Sequence, residues 1–192
     1  MMKSVLIAIR PQWVEKIASG QKTIEVRKSA PKEVPFKCYI YETQGQYVKF
    51  THGAHTKYGY GRGKVIGAFI CDRIEMVNAK CSNYGIDLFY HDCLTNGCLT
   101  EREIEKYFNV PEDRDLRAMK GNGYVWNISD LKIYDKPKEL SEFRKPCPYG
   151  DLPCWICPSC DKDENDNLIQ CFNTVSRPPQ SWQYIEDLGE KE

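Results

Sequence analysis

The chain has 192 residues, with 27 Lys and Arg against 27 Asp and Glu, so its formal net charge is zero. That length buries one good core with room for an appendage, and neutrality removes whole-molecule basicity as a basis for nucleic-acid attraction, leaving only local patches. The amino-terminal apolar run is too short for the hydrophobic region of an export signal and nothing reaches the length of a membrane span. Ten cysteines in such a chain therefore point to reduced thiols or metal rather than a secreted disulfide scaffold, and the expectation is a cytoplasmic protein with no membrane partner.

In chain order, Ser4-Val5-Leu6-Ile7-Ala8-Ile9 reads as a short strand. Arg10-Pro11-Gln12-Trp13-Val14-Glu15-Lys16-Ile17-Ala18 then carries apolar residues at helical spacing, Trp13 with Ile17 and Val14 with Ala18. Pro11 suits the first helical position and Gly20 the left-handed residue just past the end. From Thr23 the period turns to two. Ile24 and Val26 then point one way, while Thr23, Glu25 and Arg27 point the other. Lys22 stands in the turn before that alternation, on a stem long enough to bring its ammonium to the same cleft.

A carboxylate within ~4 Å of a cation gains roughly 4 kcal/mol of Coulomb energy at an effective dielectric of ~20, so clustering holds Glu25 ionised and orients Lys22 and Arg27. Spare Lys and Arg donors suit a phosphate or a nucleobase carbonyl, and the carboxylate suits an exocyclic amine or a water to be activated. The same spacing also fits an ordinary exchange of charges on an exposed strand.

Phe36-Lys37-Cys38-Tyr39-Ile40-Tyr41 and Val65 to Ile74 read as further strands, with Cys38 and Cys71 as small core residues. Between Glu42 and Asp72 there is no acidic residue, while Lys49, Lys57, Arg62 and Lys64 interleave with Tyr47, Phe50, Tyr58 and Tyr60. Cations beside aromatic faces are what a single-stranded nucleic acid requires; a loop or irregular hairpin packing its tyrosines inward fits the same residues. Glu75, at a strand end, is a candidate second acid. Cys81, His91, Cys93 and Cys98 have unequal spacing that matches no common zinc pattern and are read as structural. Thr100-Glu101-Arg102-Glu103 is a capping box opening a helix with Ile104, Tyr107 and Phe108 on its apolar side, ended by Val110-Pro111. Tyr124 to Ile128 and Leu131 to Tyr134 alternate as strands joined by Ser129-Asp130. Short strands with few helices favour an α+β fold built on a small barrel.

The carboxy-terminal stretch, residues 141–192, is a Cys-rich extension expected to pack on a domain of residues 1–140. Cys147, Cys154, Cys157, Cys160 and Cys171 lie in a segment rich in Pro, Asp and Asn. Four thiolates meet one zinc, and such a segment buries too little apolar surface to fix its own fold. Zinc held by Cys147, Cys154, Cys157 and Cys160, with Cys171 as alternative ligand, is the expectation; an iron–sulfur cluster, free thiols and redox pairing fit the same spacing. Trp182 and Tyr184 share one face of a closing strand and are expected to pack back on the barrel. No P-loop, HExxH helix or nucleophile elbow is present in the sequence, which sets aside those hydrolase classes.

Gly20, Lys22, Glu25 and Arg27 match every fixed position of Gly-x-Lys-x-x-Glu-x-Arg, and with Ile7 to Trp13, Lys64 to Ile70 and Gly123 to Ile128 the chain resembles the ASCH domain family, a branch of the PUA-like folds, over roughly residues 3 to 140. The resemblance implies a small β-barrel with peripheral helices and a cleft holding the motif, read as a site for RNA or a nucleotide-like ligand. On this reading Arg10, Lys22, Glu25, Arg27, Lys57 and Arg62 bind the ligand. One subgroup is similar to amidohydrolases that deacylate N4-modified cytidine with the motif lysine, a hydroxyl residue and a separate glutamate; here Glu25 stands at the hydroxyl position. An enzyme of this kind, amidohydrolase or ribonuclease, is the alternative, with Lys22 and Glu25 as its catalytic pair and Glu75 as the further acid.

Overall fold

In the computed structural model, which describes residues 2–52, 55–111, 116–149, 156–165 and 167–188, the first apolar run forms strand β1 (Lys3–Ile9), with Val5, Leu6 and Ile7 inaccessible to solvent. Helix α1 (Pro11–Ala18) follows with proline at its first position, and Gly20, at φ 76°, takes the left-handed turn that ends it. The remaining strands are β2 (Ile24–Arg27), β3 (Phe36–Glu42), β4 (Gly45–His52), β5 (His55–Gly61), β6 (Lys64–Cys71), β7 (Ile74–Asn78), β8 (Asn122–Asn127), β9 (Ser129–Lys138), β10 (Asp161–Lys162), β11 (Leu168–Gln170) and β12 (Trp182–Ile185). Two further helices are α2 (Asn83–Thr95) and α3 (Glu101–Phe108).

The chain divides into two units, and passes between them within α1, β3, β6 and β9. The first comprises Met1–Pro11, Lys37–Ala68 and Ile133–Glu192. It is organised on a five-stranded sheet of order β12-β1-β3-β6-β9, together with the β4–β5 hairpin and the short β10–β11 pair. Its core gathers Leu6, Tyr39, Tyr41, Val65, Phe143, Val175 and Ile185, with Tyr39 and Phe143 edge to face at 5.1 Å. The carboxy-terminal extension is sewn into this unit. β12 pairs antiparallel with β1, Tyr184 opposite Val5, and the Tyr39 hydroxyl donates to Asp187 at 2.5 Å. Trp182 and Tyr184 share a face as the alternation requires, their rings 5.4 Å apart.

The second unit, Gln12–Phe36 and Phe69–Lys132, holds the antiparallel sheet β2-β8-β7 and the helices. Ile24, Val26, Val77 and Val125 from the sheet pack with Ile86, Phe89 and Cys93 of α2 and Ile104 and Phe108 of α3. The α3 capping box forms as its sequence demands: the Thr100 hydroxyl accepts from the Glu103 N–H, and the Glu103 carboxylate accepts from the Thr100 N–H. The helix stops at Asn109, which takes the left-handed conformation at φ 53°, before Val110-Pro111 is reached. Cys38, Cys71 and Cys93 are buried thiols.

The mixed α and β character stands, and the barrel needs correction. Among the described residues the strands lie in four open sheets, and none closes on itself. The reason is visible at Ile128. β8 and β9 do not pair as a hairpin; β8 joins β2 and β7, the chain turns with Asp130 at φ 46°, and β9 goes to the edge of the five-stranded sheet. No helix of the described residues is long and apolar enough to cross a membrane.

Candidate functional site

The turn from Gly20 to Thr23 is fixed at both ends by backbone bonds. Lys22 N–H donates to the Lys16 carbonyl at 3.0 Å, and Thr23 N–H donates to the Asn96 carbonyl at 3.0 Å. The segment leaving α1 therefore lies along the segment leaving α2. In β2 the register sets Glu25 opposite Trp126 and Arg27 opposite Tyr124, while Val26 opposite Val125 faces the helix-covered core. Glu25 and Arg27 thus share the other face, as their parity requires.

Lys22 turns toward them. Its Nζ lies 3.4 Å from Glu25 Oε2 and donates to the Gly97 carbonyl at 2.8 Å, while Arg27 approaches Glu25 Oε1 at 2.9 Å. Lys22 is 3 % exposed and Glu25 6 %. Each carboxylate oxygen faces one cation. The Trp13 ring completes the lysine's surroundings at 5.7 Å from Nζ and also carries Lys16 Nζ at 4.8 Å. Lys28 lies over the Tyr107 ring at 5.0 Å. Burial pushes the Tyr107 phenol above its ordinary range; Arg27 draws it back and Glu25 reinforces the rise. From Lys16 to Lys28 there are four cations against one carboxylate, a local net charge of +3 in a neutral molecule.

The acceptor for Lys22 comes from the loop after α2, which sequence reasoning passed over. Gly97 is required there by close approach, since a Cβ would meet the Cys93 carbonyl oxygen at 2.6 Å. Cys98 follows at φ 55°, its carbonyl accepting from Lys16 Nζ at 3.4 Å and its thiol donating to the Gln21 carbonyl at 3.2 Å. The signal was present in Ser82, which caps α2 by accepting from Gly85 N–H, and in Ile86, Phe89 and Cys93 at helical spacing. Burial pushes the Cys93 thiol up to about 12, with Lys22 pulling against it.

Glu75 is elsewhere. It pairs with Val125, on the face of the sheet opposite Glu25, and with Thr23, Arg73, Asp92, Asn96 and Asn127 it lines a hollow of about 120 Å³ that Lys22, Glu25 and Arg27 do not line. Its carboxylate lies 3.3 Å from Arg73. Arg10, Lys57 and Arg62 belong to the first unit. Arg10 and Lys57 are exposed, while Arg62 is engaged by Glu42, which accepts from its backbone N–H at 2.9 Å and stands 3.6 Å from its side chain. Of the tail thiols, Cys157 and Cys171 are buried and Cys147 and Cys160 half-buried, and Cys154 lies outside the described residues. Among the described residues no three His, Cys, Asp or Glu side chains gather as a metal-binding group.

No family model matches this sequence, and no curated protein matches it. Solved structures do. The chain is similar to the crystal structure of ASCH from Zymomonas mobilis, at 17 % identity and a TM-score of 0.52, covering 96 % of this chain and 88 % of that one. Two single-residue variants of that protein match with TM-scores of 0.54 and 0.53 at 16 % identity, each covering 97 % of this chain and 92 % and 90 % of theirs. These matches establish that this chain has an ASCH-like fold.

Proposed function

We propose that the second unit binds RNA, a nucleotide or a modified nucleoside through Lys22, Glu25 and Arg27. The observation that carries this reading is the burial of Lys22 and Glu25 against one another, with the half-buried Arg27 closing on the same carboxylate. Removing two charges from water is penalised by several kcal/mol per ion, and a fold gains as much from apolar residues of the same size, so a buried ion pair kept where apolar packing would serve the fold supports a functional reading. The local excess of positive charge selects an anionic ligand, and Trp13 offers a ring beside the cations for a base. The likeness to ASCH structures supports the reading at the level of fold.

The alternative is a hydrolase, either an amidohydrolase acting on N4-acylated cytidine or a ribonuclease, with Glu25 taking a proton from water. Each oxygen of Glu25 already faces a cation, which favours binding over proton transfer. For the tail we propose structural zinc on Cys147, Cys154, Cys157 and Cys160, with Cys171 as alternative ligand; the Cys-x-x-Cys spacing supports it.

The test is calorimetric titration of the full chain with cytidine, N4-acetylcytidine and cytidine monophosphate, repeated on the double variant Lys22→Met/Glu25→Gln. That variant removes one charge of each sign and keeps the side-chain shapes, so it is expected to fold. Saturable binding of the nucleotide that the double variant loses is the expected result. Equal binding by both proteins overturns the reading, and product formation that Glu25→Gln loses moves it to the hydrolase.

A further inference from the structure

The hollow beside Glu75 lies wholly within the second unit, where the carboxy-terminal end of α2 crosses the helix-covered face of the β2-β8-β7 sheet, and it has a volume of about 120 Å³. Its walls are tied together by backbone bonds. The Asn96 carbonyl, at the end of α2, accepts from Thr23 N–H at 3.0 Å and from Ile24 N–H at 3.4 Å, just where β2 begins. Ile24 and Val125, both buried, make an apolar floor. The register sets Asn127 and Glu75 on the same face as that floor, because Ile24 stands opposite Asn127 and Glu75 opposite Val125. Asp92 and Asn96 close the hollow from α2, and Thr23 and Arg73 close it from the residues that precede β2 and β7. An apolar floor under a polar rim separates this hollow from an acidic patch on an open surface.

The rim is richer in acceptors than in donors. Asn96 turns its amide N–H to Asp92 Oδ1 at 3.0 Å, and Asn127 turns its own to Asp72 Oδ1 at 2.8 Å. Both amides thus direct donors at carboxylates, while a carboxylate accepts about four hydrogen bonds and an amide oxygen about two, so Asp92, Glu75, Asn96 and Asn127 keep most of their accepting capacity. Arg73 holds the rim's charged donors, and its Nε is drawn to Glu75 at 3.3 Å. Charge points the same way. Glu75 and Asp92 outnumber Arg73 in the lining, Asp72 stands behind Asn127, and α2 ends here with no basic residue in its last turn to offset the negative end of its dipole. A cation is therefore favoured over an anion, and the floor of Ile24 and Val125 favours one that carries carbon. An apolar cavity of ~150 Å³ takes benzene, so this hollow suits a slightly smaller molecule.

We infer that this hollow binds a small primary alkylammonium ion, its N–H groups donating to Asp92 and Glu75 and its carbon chain resting on Ile24 and Val125. Lys22, Glu25 and Arg27 do not line it, so the inference stands independently of the function proposed for the ion cluster.

The experiment is a titration of the isotope-labelled full chain with n-propylammonium chloride, followed by backbone amide chemical shifts, beside tetramethylammonium chloride and sodium propionate at matched ionic strength. n-Propylammonium shifts the amides of Thr23, Ile24, Asn96 and Asn127 along one saturable curve, with a dissociation constant of roughly 1 mM for a ligand of this size. Tetramethylammonium, which has the charge without an N–H, and propionate, of opposite charge, leave those amides in place. Asp92→Asn, at a half-buried position, weakens binding by about tenfold, and Glu75→Gln, at the exposed rim, by about threefold. Arg73→Gln removes a like charge and tightens binding, which a merely structural role would not do. Because the Glu75 side chain is 55 % exposed, Glu75→Gln keeps the melting temperature of the parent and remains informative if Asp92→Asn folds poorly. The inference is overturned if the four amides do not move, if tetramethylammonium moves them as strongly, or if the carboxylate variants bind n-propylammonium as the parent does. Lys22→Met/Glu25→Gln binds n-propylammonium unchanged. Loss of binding in that variant would place the amine in the ion cluster and sink the hollow alone, since the cluster's own reading is decided by the nucleotide titration.

Discussion

The ammonium of Lys22 donates to the backbone carbonyl of Gly97 across 2.8 Å, so a buried charge from the turn before β2 is fastened to the loop that leaves α2. This bond and the 3.4 Å approach to Glu25 make the lysine a structural as well as a chemical element. Lys22→Met alone strands the Glu25 carboxylate beside Arg27 only and leaves the Gly97 carbonyl without its donor. A loss of about 3 kcal/mol in unfolding free energy is expected, as for other broken buried pairs. Glu25→Gln alone leaves two cations facing each other and loses a similar amount. The double variant restores neutrality, so its loss falls short of the sum by at least about 1 kcal/mol. Urea denaturation of the four proteins measures that coupling, and strict additivity would show that Lys22 and Glu25 do not act as a pair.

Gly97→Ala tests the other half of the same contact. The new methyl group would have to displace the Cys93 carbonyl, 2.6 Å from its ideal position, at the last turn of α2. The expected loss is about 1–3 kcal/mol, and it shrinks when Lys22 is already Met, because part of it is the lost acceptor. Thermal melts of the single and double variants decide this. An alanine that leaves the melting temperature unchanged would mean that the loop relaxes at no cost and does not position Lys22.

How far the sequence reached is instructive at Lys22. The period-two alternation of β2 put Glu25 and Arg27 on one face, because parity is a local property that tertiary context cannot alter. The Thr100 capping box and the proline and glycine ends of α1 were legible for the same reason. What closed the cluster was not local. Gly97 is 75 residues from Lys22, and its carbonyl is an acceptor that every residue type carries, so no side-chain pattern announces it. α2 is absent from the sequence reading, which takes Cys81, His91, Cys93 and Cys98 as structural without giving them a helix; Cys93 is the third apolar residue of a helix face begun by Ile86 and Phe89. The barrel failed on sheet assignment: alternation says that Tyr124 to Ile128 and Leu131 to Tyr134 are strands, and it cannot say that β8 and β9 serve different sheets.

Cys93 also sets a pH dependence. Burial raises its thiol from an ordinary 9.0 to about 12 in the fold, so between those values the unfolded chain has released a proton that the folded chain retains. Fewer protons are bound by the unfolded state, and stability therefore falls as pH rises, by up to about 1.4 kcal/mol per pH unit for this one group. Its contribution is fully present below pH ~9 and is lost toward pH ~12. Cys71 and the raised tyrosines Tyr39, Tyr41, Tyr90, Tyr107 and Tyr134 act with the same sign. Cys93→Ala is expected to be less stable at neutral pH, by about 1–3 kcal/mol for the small cavity, and to show a shallower decline above pH ~9. Parallel slopes for parent and variant would place the alkaline loss on the tyrosines and Cys71.

The zinc proposed for the tail makes a localised prediction, because protein contacts hold the ends of the extension. β12 is zipped to β1, Asp187 accepts from Tyr39, and Arg144 bridges to Thr174 beside the Phe143 core contact. An all-thiolate site contributes on the order of 10–16 kcal/mol in short peptides near neutral pH, and its closed shell leaves no position for a reacting water. Metal analysis of protein purified without added metal is therefore expected to return close to one zinc per chain, and Cys157→Ser to abolish it. Removing zinc with a chelator should accelerate amide exchange around Cys157 and Cys171 while β1 and β12 keep their protection. A protein purified free of zinc and iron, with the same exchange pattern before and after chelation, would leave the thiols as ordinary side chains. Exchange that instead rises across β1 would mean that the metal supports the five-stranded sheet itself, contrary to the anchoring by β12 and Tyr39.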